Sequence, residues 1–302
     1  MAEFKYFIIT AGATGSGKTG LIDKTMDYLG IKGEEFEKIL IDDLVENNSK
    51  YKEKVKAIIE DINKKCNNNN DCKSEKFNNP DENLYKAFND AYFTTRSEKG
   101  CLKNNNKTCD ELNDENIHTY VSQKKHIIFE FTGQYIPKWL LNNIYINENY
   151  KIVFSYSLVT LKNLIERNKS RAIKSIQAFE TSNYSSPAPR LPDLSETKFT
   201  EIVTKIKDVL NELYNTCILK YDESNCGSKK IDRLLIFDNN GESLVNIFDS
   251  MNSKDFDFEK LVTNSGVGGG ARRKSSRKIP KKTHKKKTRR NRRKSVRRNR
   301  RH

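Results

Sequence analysis

The segment from Gly12 to Thr19 constrains the fold of this chain more narrowly than any other feature of its sequence. It reads Gly-Ala-Thr-Gly-Ser-Gly-Lys-Thr and completes the GxxxxGK[S/T] pattern of a phosphate-binding loop. An apolar run precedes it at 6–10, and apolar residues recur at helical spacing after it, over 21–29. Glycines adopt the positive φ angles that turn successive backbone N–H groups toward one anion. The sequence therefore predicts a binding site for a nucleoside triphosphate.

All eight residues of this loop are predicted to bind the nucleotide: Gly12, Ala13, Thr14, Gly15, Ser16, Gly17, Lys18 and Thr19. The backbone amides and the N-terminus of the following helix would face the phosphates. Lys18 is expected to reach the β- and γ-phosphates, and the hydroxyl of Thr19 to coordinate Mg²⁺. The expected cofactors are ATP and Mg²⁺.

Apolar runs that alternate with helical patterns indicate the fold class. Strands are predicted at 6–10, 38–41, 126–131, 151–156 and 233–237. Strands that alternate with helices form a parallel sheet covered on both faces. We therefore expect a P-loop NTPase α/β fold over residues 1–262, with three α/β/α layers and a five-stranded parallel sheet. The Asn-rich segments at about 66–79 and 100–116 contain few apolar residues to offset the entropy of ordering, and we predict that they are loops inserted at the surface.

The net charge of +16 is concentrated at the C-terminal end of the chain. Of the 56 Lys and Arg residues, 19 lie in 272–302, where there is no acid; residues 1–271 therefore carry 37 bases against 40 acids. We predict that 263–302 form a glycine hinge and a disordered Lys/Arg-rich tail. Through 272–302 the tail would bind nucleic acid without sequence specificity, by neutralising phosphates. A nuclear-import signal at 281–294 is the alternative.

Two further patterns bear on location. The N-terminal residues lack the basic and apolar regions of a secretory signal, and no apolar stretch is long enough to span a membrane. We expect an intracellular protein, cytoplasmic or nuclear or within a virion, that is not secreted and has no membrane partner. The oligomeric state is not predicted.

The six cysteines form three local pairs in the sequence: Cys66 with Cys72, Cys101 with Cys109, and Cys217 with Cys226. These spacings argue against a tetrahedral zinc site, which usually has closer ligand pairs. Free thiols are favoured, because disulfides are rare in intracellular proteins. Three loop-closing disulfides are the alternative if the chain matures in an oxidising setting.

Other patterns exclude two classes of P-loop protein and leave the kinases. The third predicted strand ends in Glu130-Phe131-Thr132, without the Asp-Glu pair of a motor ATPase. The nearest match to the NKxD guanine motif is Asn168-Lys169-Ser170-Arg171, which lacks the aspartate. A kinase needs a carboxylate to accept a hydroxyl proton and cations to stabilise the phosphoryl group. Asp42 follows the second strand, and Arg167 and Arg171 are spaced to share one helix face.

Five segments carry a family resemblance: 12–19, 41–44 with Tyr51 following, 127–133, the helix of Arg167 and Arg171, and 235–241. In their order along the chain they resemble the zeta-toxin-like branch of P-loop kinases. The resemblance implies that Asp42, or Asp43 in its place, is the base, that Glu130 helps hold the acceptor, and that the two arginines act on the phosphates. It also implies a UDP-amino sugar as acceptor. Val45 departs from the family, in which an arginine commonly stands three residues after the base.

Three functions are therefore compatible with the sequence. The first is a kinase for a small-molecule or nucleotide-sugar acceptor, with a separate localising tail. The second is a polynucleotide 5′-hydroxyl kinase whose tail holds the substrate. The third is a nucleic-acid packaging protein whose kinase fold binds ATP without turnover. In combining Asn/Lys-rich loops with a basic tail, the chain is similar to zeta-toxin-like proteins of large DNA viruses.

Overall fold

A computed structural model describes residues 4–31, 35–102, 105–142, 149–192, 195–227, 230–253 and 255–265. Its strands are β1 (Lys5–Ala11), β2 (Phe36–Ile39), β3 (His126–Phe131), β4 (Tyr150–Leu158), β5 (Arg233–Asp238) and β6 (Val245–Asp249). The basic tail predicted at 272–302 lies outside these residues, as does part of the predicted glycine hinge.

The helices alternate with the strands along much of the chain. They are α1 (Lys18–Leu29), α2 (Ile41–Glu46), α3 (Ser49–Lys65), α4 (Asn70–Asn78), α5 (Glu82–Ser97), α6 (Cys109–Ser122), α7 (Lys138–Leu141), α8 (Leu161–Thr181), α9 (Glu196–Leu213), α10 (Glu223–Cys226) and α11 (Phe258–Ser265). A π-helical turn, Tyr214–Leu219, continues α9. Across the described ranges, no helix combines the length and the apolar character needed to cross a membrane.

The described part of the sheet has six strands in the order β2-β3-β1-β4-β5-β6. The first five run parallel and confirm the α/β class predicted from the sequence. The predicted count of five strands is wrong, because β6 pairs antiparallel with β5 at the edge. The parallel strands end together at one edge of the sheet, and there Thr10 of β1 lies beside Glu130 of β3.

The strands alternate their side chains between two apolar layers. Ile8 of β1 packs on one face of the sheet with residues of α1, including Leu21. Phe7 and Ile9 belong to the cluster on the opposite face, with α6 and α9. This arrangement confirms the predicted three layers. A separate apolar cluster contains buried residues of α3, α4, α5, α6 and α8, among them Tyr51.

Three local sequence predictions need correction. The second strand ends at Ile39 rather than residue 41, and α2 starts at Ile41. The segments 66–79 and 100–116 are not simply loops, since they contain α4 and the first half of α6. Asn69 caps α4 by accepting from the Cys72 amide at 2.9 Å, and Phe77 anchors that helix in the core. Capping side chains and a few buried anchors are therefore enough to order these polar segments.

The free-thiol prediction is also wrong, because the structure contains three disulfides. They are Cys66–Cys72, Cys101–Cys109 and Cys217–Cys226, the three pairs expected from sequence proximity. The first links the ends of α3 and α4, and the second closes the segment that leads into α6. Both bonds belong to the apolar cluster that includes Tyr51.

Candidate active site

The phosphate loop connects β1 to α1 and has the backbone shape predicted for it. Gly12, Gly15 and Gly17 have φ angles of 154°, 82° and 81°, which residues with a Cβ rarely adopt. A Cβ at Gly15 would clash with the side-chain amide of Asn168, and one at Gly17 with that of Asn239. The loop is therefore a closely walled cradle that only glycines can form.

Three side chains hold the loop from behind. Asn168 of α8 donates its Nδ2 to the carbonyl oxygen of Thr14 at 2.7 Å. Asn239, after β5, and Ser157 of β4 both donate to the carbonyl oxygen of Ser16, each at 2.7 Å. The carbonyl oxygens of Thr14 and Ser16 thus accept hydrogen bonds from side chains of the protein. Neither oxygen therefore has to face a bound anion. The cradle therefore fits a polyphosphate.

Lys18 lies at the start of α1, with its side chain only 12% exposed. Its Nζ donates to the carbonyl oxygen of Gly12 at 3.2 Å and lies 3.4 Å from Oε1 of Glu130. Glu130 thus holds the loop lysine at the carboxyl edge of the sheet. Thr19 is exposed in the first turn of α1. This turn contains no acidic residue that would neutralise the positive end of the helix dipole. These features suit the helix end to phosphate oxygens and Mg²⁺.

Asp42 lies in the first turn of α2 and is bound on two sides. Tyr92 of α5 donates its hydroxyl to Oδ1 at 2.5 Å, and Arg190 forms an ion pair with Oδ2. Burial alone would raise the pKa of Asp42, but Arg190 and the Tyr92 hydroxyl outweigh it and lower that pKa, with help from Lys18. Burial raises the pKa of Tyr92, so its hydroxyl stays protonated and remains a donor. Asp42 is consequently ionised at neutral pH.

Arg190 is a site residue that the sequence does not predict. It lies in the Pro-rich turn at 187–192, and its guanidinium stacks 4.2 Å from the centre of the Tyr92 ring. Tyr51 donates to the carbonyl oxygen of Pro189 at 3.0 Å and fixes this turn. The resemblance leads us to expect an arginine at the position of Val45. Arg190 instead provides the positive charge beside Asp42. No local signal in the sequence could have paired these residues.

Asp43 and the two predicted arginines occupy different surroundings. The side chain of Asp43 is exposed, although partial desolvation of its carboxyl and the charge of Asp42 raise its pKa. The ion pair with Arg190 is formed by Asp42. Arg167 donates to the carbonyl oxygen of Asn239 at 2.7 Å. Arg171 lies 3.9 Å from Oε1 of Glu46. Although the arginines are one turn apart on α8, they contact opposite sides of the site.

An open groove of about 670 Å³ lies between α5, α8 and the start of α9. Its lining includes Asn78, Asn79, Asp81, Glu82, Tyr85, Lys86, Asn89 and Lys169. Asn89 precedes Tyr92 by three residues on α5, about 4.5 Å along the helix axis. The groove thus begins roughly one helical turn from the residue that binds Asp42. Two lysines in the lining offset two acids, so the groove has no net charge.

No family model and no curated protein matches the sequence of this chain. The fold is similar to a solved structure from the PezAT chromosomal toxin–antitoxin system of Streptococcus pneumoniae, with a TM-score of 0.51. The match covers 90% of this chain and 82% of that chain, at 11% sequence identity. A likeness at this identity concerns the fold alone. The chain accordingly shares its α/β fold with that structure.

Proposed function

We propose that this protein is an ATP-dependent phosphotransferase that phosphorylates a hydroxyl group of a small-molecule or nucleotide acceptor. The observation that carries the proposal is an ionised carboxylate, Asp42, at the end of the sheet that holds the phosphate loop. Lys18 contributes to the low pKa of Asp42, which relates the two groups electrostatically. A loop that fits a polyphosphate and a carboxylate that can bind a hydroxyl are the two halves of a kinase site.

The nucleotide half of the site would use the residues of the phosphate loop. Bound Mg–ATP supplies the transferable phosphoryl group and a metal charge that neutralises its oxygens. The backbone amides of 12–19 would bind the phosphates, and Thr19 would bind Mg²⁺. The ammonium group of Lys18 would leave the carboxylate of Glu130 and bind phosphate oxygens. Arg167 and Arg171 would add positive charge where the transition state develops negative charge.

The acceptor half of the site would be organised by Asp42. Its carboxylate would accept a hydrogen bond from the acceptor hydroxyl, orient that oxygen, and take its proton as the new bond to phosphorus forms. Tyr92 and Arg190 would hold the carboxylate in place during this step. Glu130 would stand between the two halves, next to Lys18.

The groove beside α5 favours a small acceptor. Its amides and the Tyr85 ring can bind and stack on a polar ring compound, whereas its two lysines are balanced by two acids. A polynucleotide track would need an excess of positive charge to neutralise successive phosphates. A nucleotide-sugar acceptor, as the zeta-toxin-like resemblance implies, is compatible with this lining.

A polynucleotide 5′-hydroxyl kinase is the second candidate, and the observation that favours it is the charge of the tail. Residues 272–302 contain 19 Lys and Arg and no acid. Such a segment would bind DNA or RNA in a salt-dependent manner and could deliver a chain end to Asp42. Removing 266–302 would abolish activity on nucleic-acid ends under this second proposal, and would leave small-molecule activity unchanged under the first.

Substitution of Asp42 tests the proposed chemistry. Asp42→Asn should retain binding of an ATP analogue and slow phosphoryl transfer by about 100-fold, because the amide cannot take the hydroxyl proton. Asp43→Asn is the matched control, since its side chain is exposed on the same helix, and it should retain transfer. Equal rates for Asp42→Asn and wild type would rule out Asp42 as the base.

A further inference from the structure

Glu46 has no role in the proposed chemistry, yet it lies within the same cluster. It is the last residue of α2, four positions after Asp42, and its side chain is 16% exposed. Its Oε1 atom is buried and has no hydrogen-bond partner among the residues that the structure describes. The guanidinium of Arg171 forms an ion pair with Glu46, with Nη2 at 3.9 Å from Oε1. Glu46 is therefore a desolvated carboxyl group opposite one of the proposed phosphate-binding arginines.

Charged and titratable groups face Glu46 from every neighbouring element. They are Asp42 and Asp43 on α2, Tyr51 on α3, Arg171 on α8 and Arg190 in the Pro-rich turn. Burial, followed by the negative charge of Asp42, raises the pKa of Glu46 to about 7, and the two arginines oppose this rise. At neutral pH a small change in its surroundings will therefore change its protonation.

We propose that Glu46 is a positioning residue that holds Arg171 in the nucleotide-free protein and takes up a proton when Arg171 turns to the bound phosphates. The inference rests on the proposed function. The side chain of Arg171 is 56% exposed, so it can rotate without disturbing the core. Asn168, one turn before it on the same helix, is bonded to the phosphate loop, so α8 itself need not move.

The proton follows from the loss of the ion pair. When Arg171 leaves, Glu46 loses one of the two cations that stabilise its carboxylate, while burial and the charge of Asp42 remain. The carboxylate then binds a proton from solvent and becomes neutral. A neutral Glu46 no longer attracts Arg171 back, and it adds no second negative charge beside Asp42. Nucleotide binding and proton uptake are thereby linked.

Calorimetry of nucleotide binding at pH 7 measures this linkage directly. Mg²⁺ with β,γ-imido-ATP is titrated into the full chain in two buffers of different ionisation enthalpy, which yields the number of protons taken up. We expect wild type to take up about half a proton more than Glu46→Gln, since a group with a pKa near 7 is half protonated before binding. Equal uptake by wild type and Glu46→Gln would overturn the inference.

Two further variants make the result decisive. Glu166→Gln changes an exposed glutamate on α8 that pairs with Lys162, and it should take up protons as wild type does. Arg171→Gln leaves Glu46 in place but removes the cation to be displaced, so its uptake should fall to the level of Glu46→Gln. If Glu46→Gln does not fold, wild-type uptake by Arg171→Gln would refute the inference. Failure of the analogue to bind wild type would instead refute the proposed function.

Discussion

The raised pKa of Glu46 predicts that replacing this residue stabilises the protein in a pH-dependent way. The pKa rises from an ordinary 4.5 to about 7. The folded protein therefore binds more protons than the unfolded chain between these pH values, and its stability falls as pH rises through that window. At about 1.4 kcal/mol for each pH unit, ionised Glu46 costs the fold about 3 kcal/mol above pH 7. Glu46→Gln removes that cost.

Urea unfolding of Glu46→Gln and wild type at pH 5 and pH 8 tests this reasoning. The variant should exceed wild type in the free energy of unfolding by about 3 kcal/mol at pH 8, and by only about 1 kcal/mol at pH 5, where Glu46 is neutral in the folded protein but already mostly ionised in the unfolded chain. Circular dichroism follows the transition, with the disulfides kept oxidised. Glu166→Gln, which alters an exposed side chain, should show no such difference. A Glu46→Gln variant that is equally stabilised at both pH values, or destabilised at pH 8, would refute the argument.

Three other predictions follow from single contacts. Arg190→Gln removes the main group that lowers the pKa of Asp42, so the acid limb of the pH–rate profile should move to higher pH and transfer at pH 6 should fall about tenfold; an unmoved acid limb would contradict this. Gly15→Ala adds a Cβ at positive φ against the amide that holds the loop, and should weaken binding of an ATP analogue at least about tenfold by calorimetry. Replacing Cys101 and Cys109 together by Ser opens a loop of sequence separation 8 and should lower the free energy of unfolding by about 2 kcal/mol, whereas a reductant should have no further effect at that bond.

The phosphate loop could be predicted from the sequence because its geometry is determined locally. Three glycines at fixed spacing provide the backbone angles, and the flanking strand and helix are visible in the apolar pattern. The paired residues around Asp42 could not be predicted in the same way. Tyr92 is 50 positions away from Asp42 along the chain, and Arg190 lies farther still. Only the packing of α2, α5 and the Pro-rich turn brings them together.

The composition of the Asn-rich segments does not predict the helices that the structure contains there. Asparagine adds little apolar surface to a core, but Asn69 acts as a helix cap and Phe77 supplies one deep anchor for α4. Similarly, α6 begins with a capping box formed by Thr108 and Glu111. The sequence does not predict the edge strand β6, because the strand is short and only its last two residues are buried, which leaves little apolar alternation.

Phosphoryl transfer from γ-labelled ATP tests the central claim most directly. Wild type and Lys18→Ala are incubated with Mg²⁺ and, separately, with UDP-amino sugars, nucleosides, and DNA and RNA carrying 5′-hydroxyl ends. A labelled product formed by wild type and lost in Lys18→Ala is the predicted result, because the variant lacks the cation that stabilises the γ-phosphate. If the wild type binds ATP but labels no acceptor in any class, or if Lys18→Ala labels the same product at the same rate, the kinase account is contradicted.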